Sequence, residues 1–206
     1  MFDGHYIEWT NRRVSAITDR FGKEFFLNKT ILELGCGLSG IGDKFAAIGS
    51  VVYRCDGRKE HIYQLKDTDS IFSFICDLDM DFPSGLYDII LSLGTVYHLK
   101  DASAHIKKCC VAAKEVFIIE TECLDTKDNI CININEPGDY DQALGGVGSR
   151  PSPSFIENEV TKNGFIFDRY VGPDNNDSQH KYMWSMENNY RYGPNTRAMW
   201  FCKRKV

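Results

Sequence analysis

The run Thr30-Ile31-Leu32-Glu33-Leu34-Gly35-Cys36-Gly37-Leu38-Ser39-Gly40 constrains this chain more than any other stretch. An apolar segment ends in a turn with glycines at G-x-G-x-x-G spacing, and the residues beyond keep Ile41, Phe45 and Ile48 on one helical face before Gly49 supplies a left-handed stop. A strand feeding a helix through such a turn is the opening unit of a parallel α/β sheet. The missing Cβ atoms let backbone amides approach a ligand closely.

The later pattern agrees. Residues 51–55, 71–76, 87–93 and 116–119 are nearly continuous apolar runs, as strands covered on both faces should be. Asp101 reads as the N-cap of a helix that shows Ala102, Ile106, Cys109 or Cys110, and Ala113 at core spacing. Ahead of the first strand, Ile7, Val14, Ile17, Phe21 and Phe25 recur near helical spacing, with Trp9, Arg12 and Arg13 interleaved, which predicts a helical segment over about 5–26. From 122 to 152 no period persists, and a lid or substrate loop is expected. Ser154 to Glu157 reads as a capping box for a helix over 155–163 stopped by Gly164, followed by strands at 165–170 and 198–203. Alternating strands and helices give an α/β fold, a Rossmann-like doubly wound sheet of about seven strands. At 206 residues with 43% apolar content the chain has room for one core, so a single domain over 1–206 is expected.

Charge and cysteine usage narrow the function classes. The formal charge is −5 and the basic residues are scattered apart from Lys203-Arg204-Lys205, which is no electrostatic footprint for nucleic acid. No apolar run approaches the roughly twenty residues that span a bilayer, and a cytoplasmic protein is expected. The eight cysteines include no C-x-x-C pair and fall largely in apolar segments, as reduced core residues do; no metal site is expected.

The glycine turn alone accommodates NAD as readily as other adenosine cofactors. A pyrophosphate seated there would face Glu33 as a like charge, whereas the ammonium and sulfonium of S-adenosylmethionine would be attracted to it. Asp56, roughly twenty residues after the turn at the end of a strand, can accept both ribose hydroxyls of either cofactor.

Glu33 to Gly40 resembles the glycine motif of class I S-adenosylmethionine-dependent methyltransferases. Asp56 matches that family's ribose acid, Phe74-Ile75-Cys76-Asp77-Leu78 resembles its adenine-binding segment, and Tyr87 to Leu99 resembles its fourth strand and following loop. The resemblance covers about residues 27–122. It implies that Glu33, Gly35, Cys36, Gly37 and Gly40 line the cofactor crevice, that Asp56 and Gly57 hold the ribose, that Asp77 and Leu78 flank the adenine, and that Leu93, Gly94 and Tyr97 follow the methionine portion. It also implies an antiparallel last strand inserted between the fifth and sixth.

Methyl transfer from a sulfonium needs alignment and exclusion of water more than it needs a base. Where a base helps, His98 is the candidate by position. Glu120 and Glu122, two residues apart at the end of a strand, project to one side and could bind an amine or polarise a hydroxyl. Arg150, Tyr182 and Trp184 are candidate acceptor contacts on connections above the same sheet edge. The leading expectation is methyl transfer to oxygen or nitrogen of a small polar acceptor, a sugar or other metabolite, with S-adenosylhomocysteine as product. A tRNA base is the second reading, on a faint likeness of residues 150–155 and 197–201 to wobble-uridine modifying enzymes; a noncatalytic cofactor-binding module is the third.

Overall fold

The computed structural model describes residues 4–136, 142–170, 181–182 and 196–205. In chain order the elements are α1 (Gly4–Phe21), β1 (Thr30–Leu34), α2 (Ile41–Ile48), β2 (Val51–Asp56), α3 (Lys59–Ile62), β3 (Ile71–Ile75), β4 (Tyr87–Leu93), α4 (Ala102–Ala112), β5 (Ala113–Glu122), β6 (Cys131–Asn135), β7 (Val147–Pro151), α5 (Pro153–Lys162), β8 (Phe165–Arg169), β9 (Lys181–Tyr182) and β10 (Thr196–Arg204).

Side-chain alternation explains why the strands read as unbroken apolar runs. Ile31, Ile89, Leu91, Ile118 and Phe201 face one layer, with Ile17 of α1, Phe26, and Ile41 and Phe45 of α2. Leu32, Ile90, Phe117, Ile119 and Trp200 face the other, with Ile106 and Cys109 of α4 and Ile156 and Val160 of α5. Each strand thus supplies two cores from successive residues.

The main sheet runs β3-β2-β1-β4-β5-β10-β8, with β9 beside β10. The first five strands in that order are mutually parallel, and β10 is antiparallel to both β5 and β8. The order reverses between β1 and β4, so the carboxyl ends of those strands open the crevice where ligands bind in such sheets. This is the Rossmann-like architecture anticipated above, including the insertion of β10.

Local readings needed correction in three places. Residues 122–152 are not structureless: β6 and β7 form a separate antiparallel hairpin. The N-cap of α5 is Ser152, whose Oγ accepts the Phe155 amide with Pro153 at the first turn, while Ser154 Oγ donates instead to the Lys127 carbonyl. β5 is longer than expected and begins at Ala113 directly after α4, with no connecting residue. Elsewhere the local signals held, since Asp101 accepts the Ala104 amide at 2.9 Å and Gly49 ends α2 at φ +116°. All eight cysteines are free and seven are buried. No described helix is long and apolar enough to cross a membrane.

Candidate functional site

The turn after β1 is held from below and from the side. Gly35, Gly37 and Gly40 all have positive φ, at 66°, 49° and 69°, a region that residues with a Cβ rarely enter. A Cβ at Gly35 would lie 2.4 Å from Thr95 Oγ1, so the turn also packs against the loop that follows β4. Asp56 closes the other side: its Oδ2 accepts the Gly37 amide at 2.9 Å, and its Oδ1 accepts the Arg58 amide at 2.8 Å and lies 3.2 Å from His61 Nδ1. Cys36 is buried in the same turn, and its amide donates to the Cys55 carbonyl at 3.0 Å.

Glu33 lies beneath this turn, whereas the sequence reading had it facing the ligand. Its side chain is buried; Oε2 accepts the Gly42 amide at 3.0 Å and Oε1 accepts Ser39 Oγ at 3.2 Å. It therefore supports the start of α2 and the turn. Burial pushes its carboxyl up from 4.5 to about 7, against the pull of Arg54, Ser39 and the Gly42 amide. A carboxyl raised on folding contributes stability that is complete below its ordinary value and is lost as pH rises through about 7. Glu33→Gln removes that titration while keeping an acceptor for Gly42. The variant should gain on the wild type by up to about 3 kcal/mol between pH 5 and pH 8. Thermal unfolding at both pH values tests this, and an unchanged difference would refute it.

The flank of the crevice comes from the ends of β2 and β3. Gly57 sits between the Asp77 backbone and Leu144, whose Cδ2 would be 3.0 Å from an added Cβ. Asp77 Oδ1 accepts the Asp79 amide at 3.1 Å, forming a tight turn, and Leu78 is buried behind it.

Beyond β4 and β5 stands a buried network of charge and aromatic rings. Glu120 is fully buried at 0% exposure and accepts from Arg13 Nη1 of α1 at 3.3 Å and from Arg197 Nη1 of β10 at 2.8 Å. Arg197 Nη2 donates to Tyr97 Oη at 2.8 Å, and both guanidiniums lie over the Trp9 ring, Arg13 at 3.7 Å from its centroid. Gly94 shares this corner, its amide bonded to the Glu120 carbonyl, while Leu93 is buried at the end of β4.

A second network sits on the hairpin. Arg150 of β7 pairs with Glu122 and with Glu136, each at 3.0 Å, and donates to the Tyr97 carbonyl. Glu136 also accepts the Ala143 amide and lies 2.7 Å from His98 Nδ1. Burial would raise the Glu136 carboxyl, but His98, the Ala143 amide and Arg150 outweigh it and hold it down at about 2. Gly148 allows this docking, because a Cβ there would lie 2.4 Å from the Tyr97 carbonyl.

The structure thus brings Glu120, Glu122, His98, Tyr97 and Arg150 together, with both strand-end carboxylates engaged by guanidiniums. The backbone of Tyr182 runs beside Arg197 on β9; Trp184 lies outside the described residues. Sequence reasoning missed Glu136, met Thr95 only as part of the loop after the fourth strand and Arg197 only within the likeness at residues 197–201, and treated Arg13 only as part of a helix. The alternation Cys131-Ile132-Asn133-Ile134-Asn135 was the available signal for the strand that delivers Glu136.

No protein-family model and no curated protein matches the chain. Solved structures do. Magnesium protoporphyrin IX methyltransferase of Synechocystis PCC 6803 with bound SAH aligns at TM-score 0.64 and 16% identity, over 98% of this chain and 86% of that one. The N-terminal domain of EvdMO1 in the presence of SAH and D-fucose aligns at TM-score 0.71 and 15% identity, over 97% and 83%. A putative methyltransferase complexed with the Haloferax volcanii Trm112 methyltransferase activator aligns at 0.63 and 13%, over 98% of each chain. At such identities the likeness is one of fold, and it spans nearly the whole chain.

Proposed function

We propose that this protein is an S-adenosylmethionine-dependent methyltransferase acting on oxygen or nitrogen of a small polar acceptor, a sugar or other metabolite. The observation that carries the reading is the glycine turn tied to Asp56 at the point where strand order reverses. A carboxylate offers about four acceptor positions, and the contacts from Gly37, Arg58 and His61 leave Asp56 capacity for a ribose hydroxyl. Gly35, Cys36, Gly37 and Gly40 would cradle the methionine end with Leu93, Gly94 and Tyr97, while Gly57, Asp77 and Leu78 would border the adenosine.

S-adenosylmethionine would supply an activated methyl group, so the chain's task is to align the acceptor and keep water out. Neighbours of the same fold hold SAH or SAM, and one was crystallised in the presence of D-fucose, which supports a polar small molecule as acceptor. Arg13, Arg150 and Arg197 beside the crevice are bound to carboxylates, which favours a compact acceptor over the phosphate backbone of a tRNA.

Calorimetric titration with S-adenosylhomocysteine and with NAD tests the reading. Saturable binding of the first and none of the second is expected; the reverse would make the protein a dehydrogenase. Asp56→Ala should weaken S-adenosylhomocysteine by about 1–3 kcal/mol, roughly 5- to 150-fold, through lost hydrogen bonds. Unchanged affinity would remove Asp56 from the site.

A further inference from the structure

We infer that Glu136 is a positioning residue for His98 and that the pair receives the acceptor's proton, which makes the acceptor a group that loses a proton on methylation, such as a hydroxyl. The inference rests on the methyltransferase reading above and deepens it.

His98 ends the short turn Val96–His98 that follows β4, directly after the residues assigned to the methionine end of the crevice. Its Nδ1 faces Glu136 at 2.7 Å, and its ring lies 3.9 Å from that of Tyr97. The side chain of Glu136 is 2% exposed and that of His98 is 21% exposed. One edge of the imidazole is therefore anchored to a buried carboxylate. The other edge carries Nε2, which has no hydrogen-bond partner among the described residues.

A carboxylate only accepts, so a neutral His98 must carry its proton on Nδ1 and leave the Nε2 lone pair bare. That is the tautomer a general base needs. Holding the hairpin down does not require it. The Ala143 amide and Arg150 already tie Glu136 in place. The same arm of the hairpin reaches the ribose side of the crevice, where Arg58 Nη2 donates to the Gln142 carbonyl and Leu144 abuts Gly57. One docked element thus borders the crevice at Gly57 and orients the base.

The step balances without a further reagent. The acceptor oxygen forms a bond to the methyl carbon while the carbon–sulfur bond breaks and returns its electron pair to sulfur. The hydroxyl proton passes to His98 Nε2, and the imidazolium is stabilised by Glu136. An acceptor already ionised at neutral pH would have no proton for the pair to take.

The test is nitrogen NMR of uniformly ¹⁵N-labelled protein at a pH where the ring is neutral, with and without S-adenosylhomocysteine. His98 should show a protonated Nδ1 and an unprotonated Nε2, and Glu136→Ala should abolish that preference. On a hydroxyl acceptor the same variant should lose about 100-fold in kcat with little change in KM. An Nε2-protonated ring in the wild type, or a tautomer indifferent to Glu136→Ala, overturns the inference even if that variant loosens the hairpin. Failure of S-adenosylhomocysteine to bind would sink the methyltransferase reading instead, because the tautomer can be read without ligand.

Discussion

Glu120→Ala is expected to destabilise the domain by about 3–5 kcal/mol, the usual consequence of deleting one member of a buried ion network. The carboxylate is shared by two buried guanidiniums, one from α1 and one from β10, so its loss leaves both charges in a low-dielectric corner without their common counter-ion. With domains of this kind stable by roughly 5–15 kcal/mol, such a loss would be seen as a large shift in urea midpoint. Glu120→Gln keeps the shape and one acceptor and should lose less. If both variants melt with the wild type, the network contributes nothing to the fold and Glu120 is free for another task.

Gly35→Ala is expected to be the second most damaging change and, on the proposed function, to remove S-adenosylhomocysteine binding as well. The left-handed backbone disfavours any Cβ, by about 1–2 kcal/mol. The new atom would also meet Thr95 at 2.4 Å from Oγ1 and 2.7 Å from Cγ2. Overpacking of that kind costs about 1–3 kcal/mol more. To relieve it, Thr95 would have to give up the bond by which its hydroxyl donates to the Leu34 carbonyl at 2.8 Å, the tie between the ends of β1 and β4. A double-mutant cycle with Thr95→Ala isolates the steric part: the pair should be more stable than the sum of the singles. Additive melting temperatures would show that backbone strain alone is responsible.

The elements that were legible in the sequence are those whose signal is local. The apolar runs and the stop at Gly49 each depend on residues within one turn or one strand, and they placed β1 to β4 and α2 closely. The glycine turn and Asp56 were legible for the same reason. The second half of the site was not, because it is assembled by long-range pairing. Arg13, Glu120 and Arg197 come from positions separated by 107 and 77 residues, and nothing in the neighbourhood of any one of them names its partner. Glu33 shows a different limit. Its position before the turn was read correctly, but an acid in that position can point above the turn or below it, and only the packing of Ser39 and Gly42 decides. In β6 the alternating, mostly exposed Ile and Asn residues were hidden by the polar company around them.

The placement of β10 between β5 and β8 has a consequence for how the molecule is made. Ribosomes deliver β1 to β5 first, so the glycine turn and Asp56 can meet while the chain is still being synthesised. Until residue 204 has emerged, β5 and β8 each present an open hydrogen-bonding edge, the feature of nascent sheets most prone to pair with the wrong chain. Arg197 arrives with that strand. The corner that joins Trp9, Tyr97 and Glu120 is thus completed after the glycine turn and Asp56 have met, and the order of synthesis builds one side of the crevice before the other.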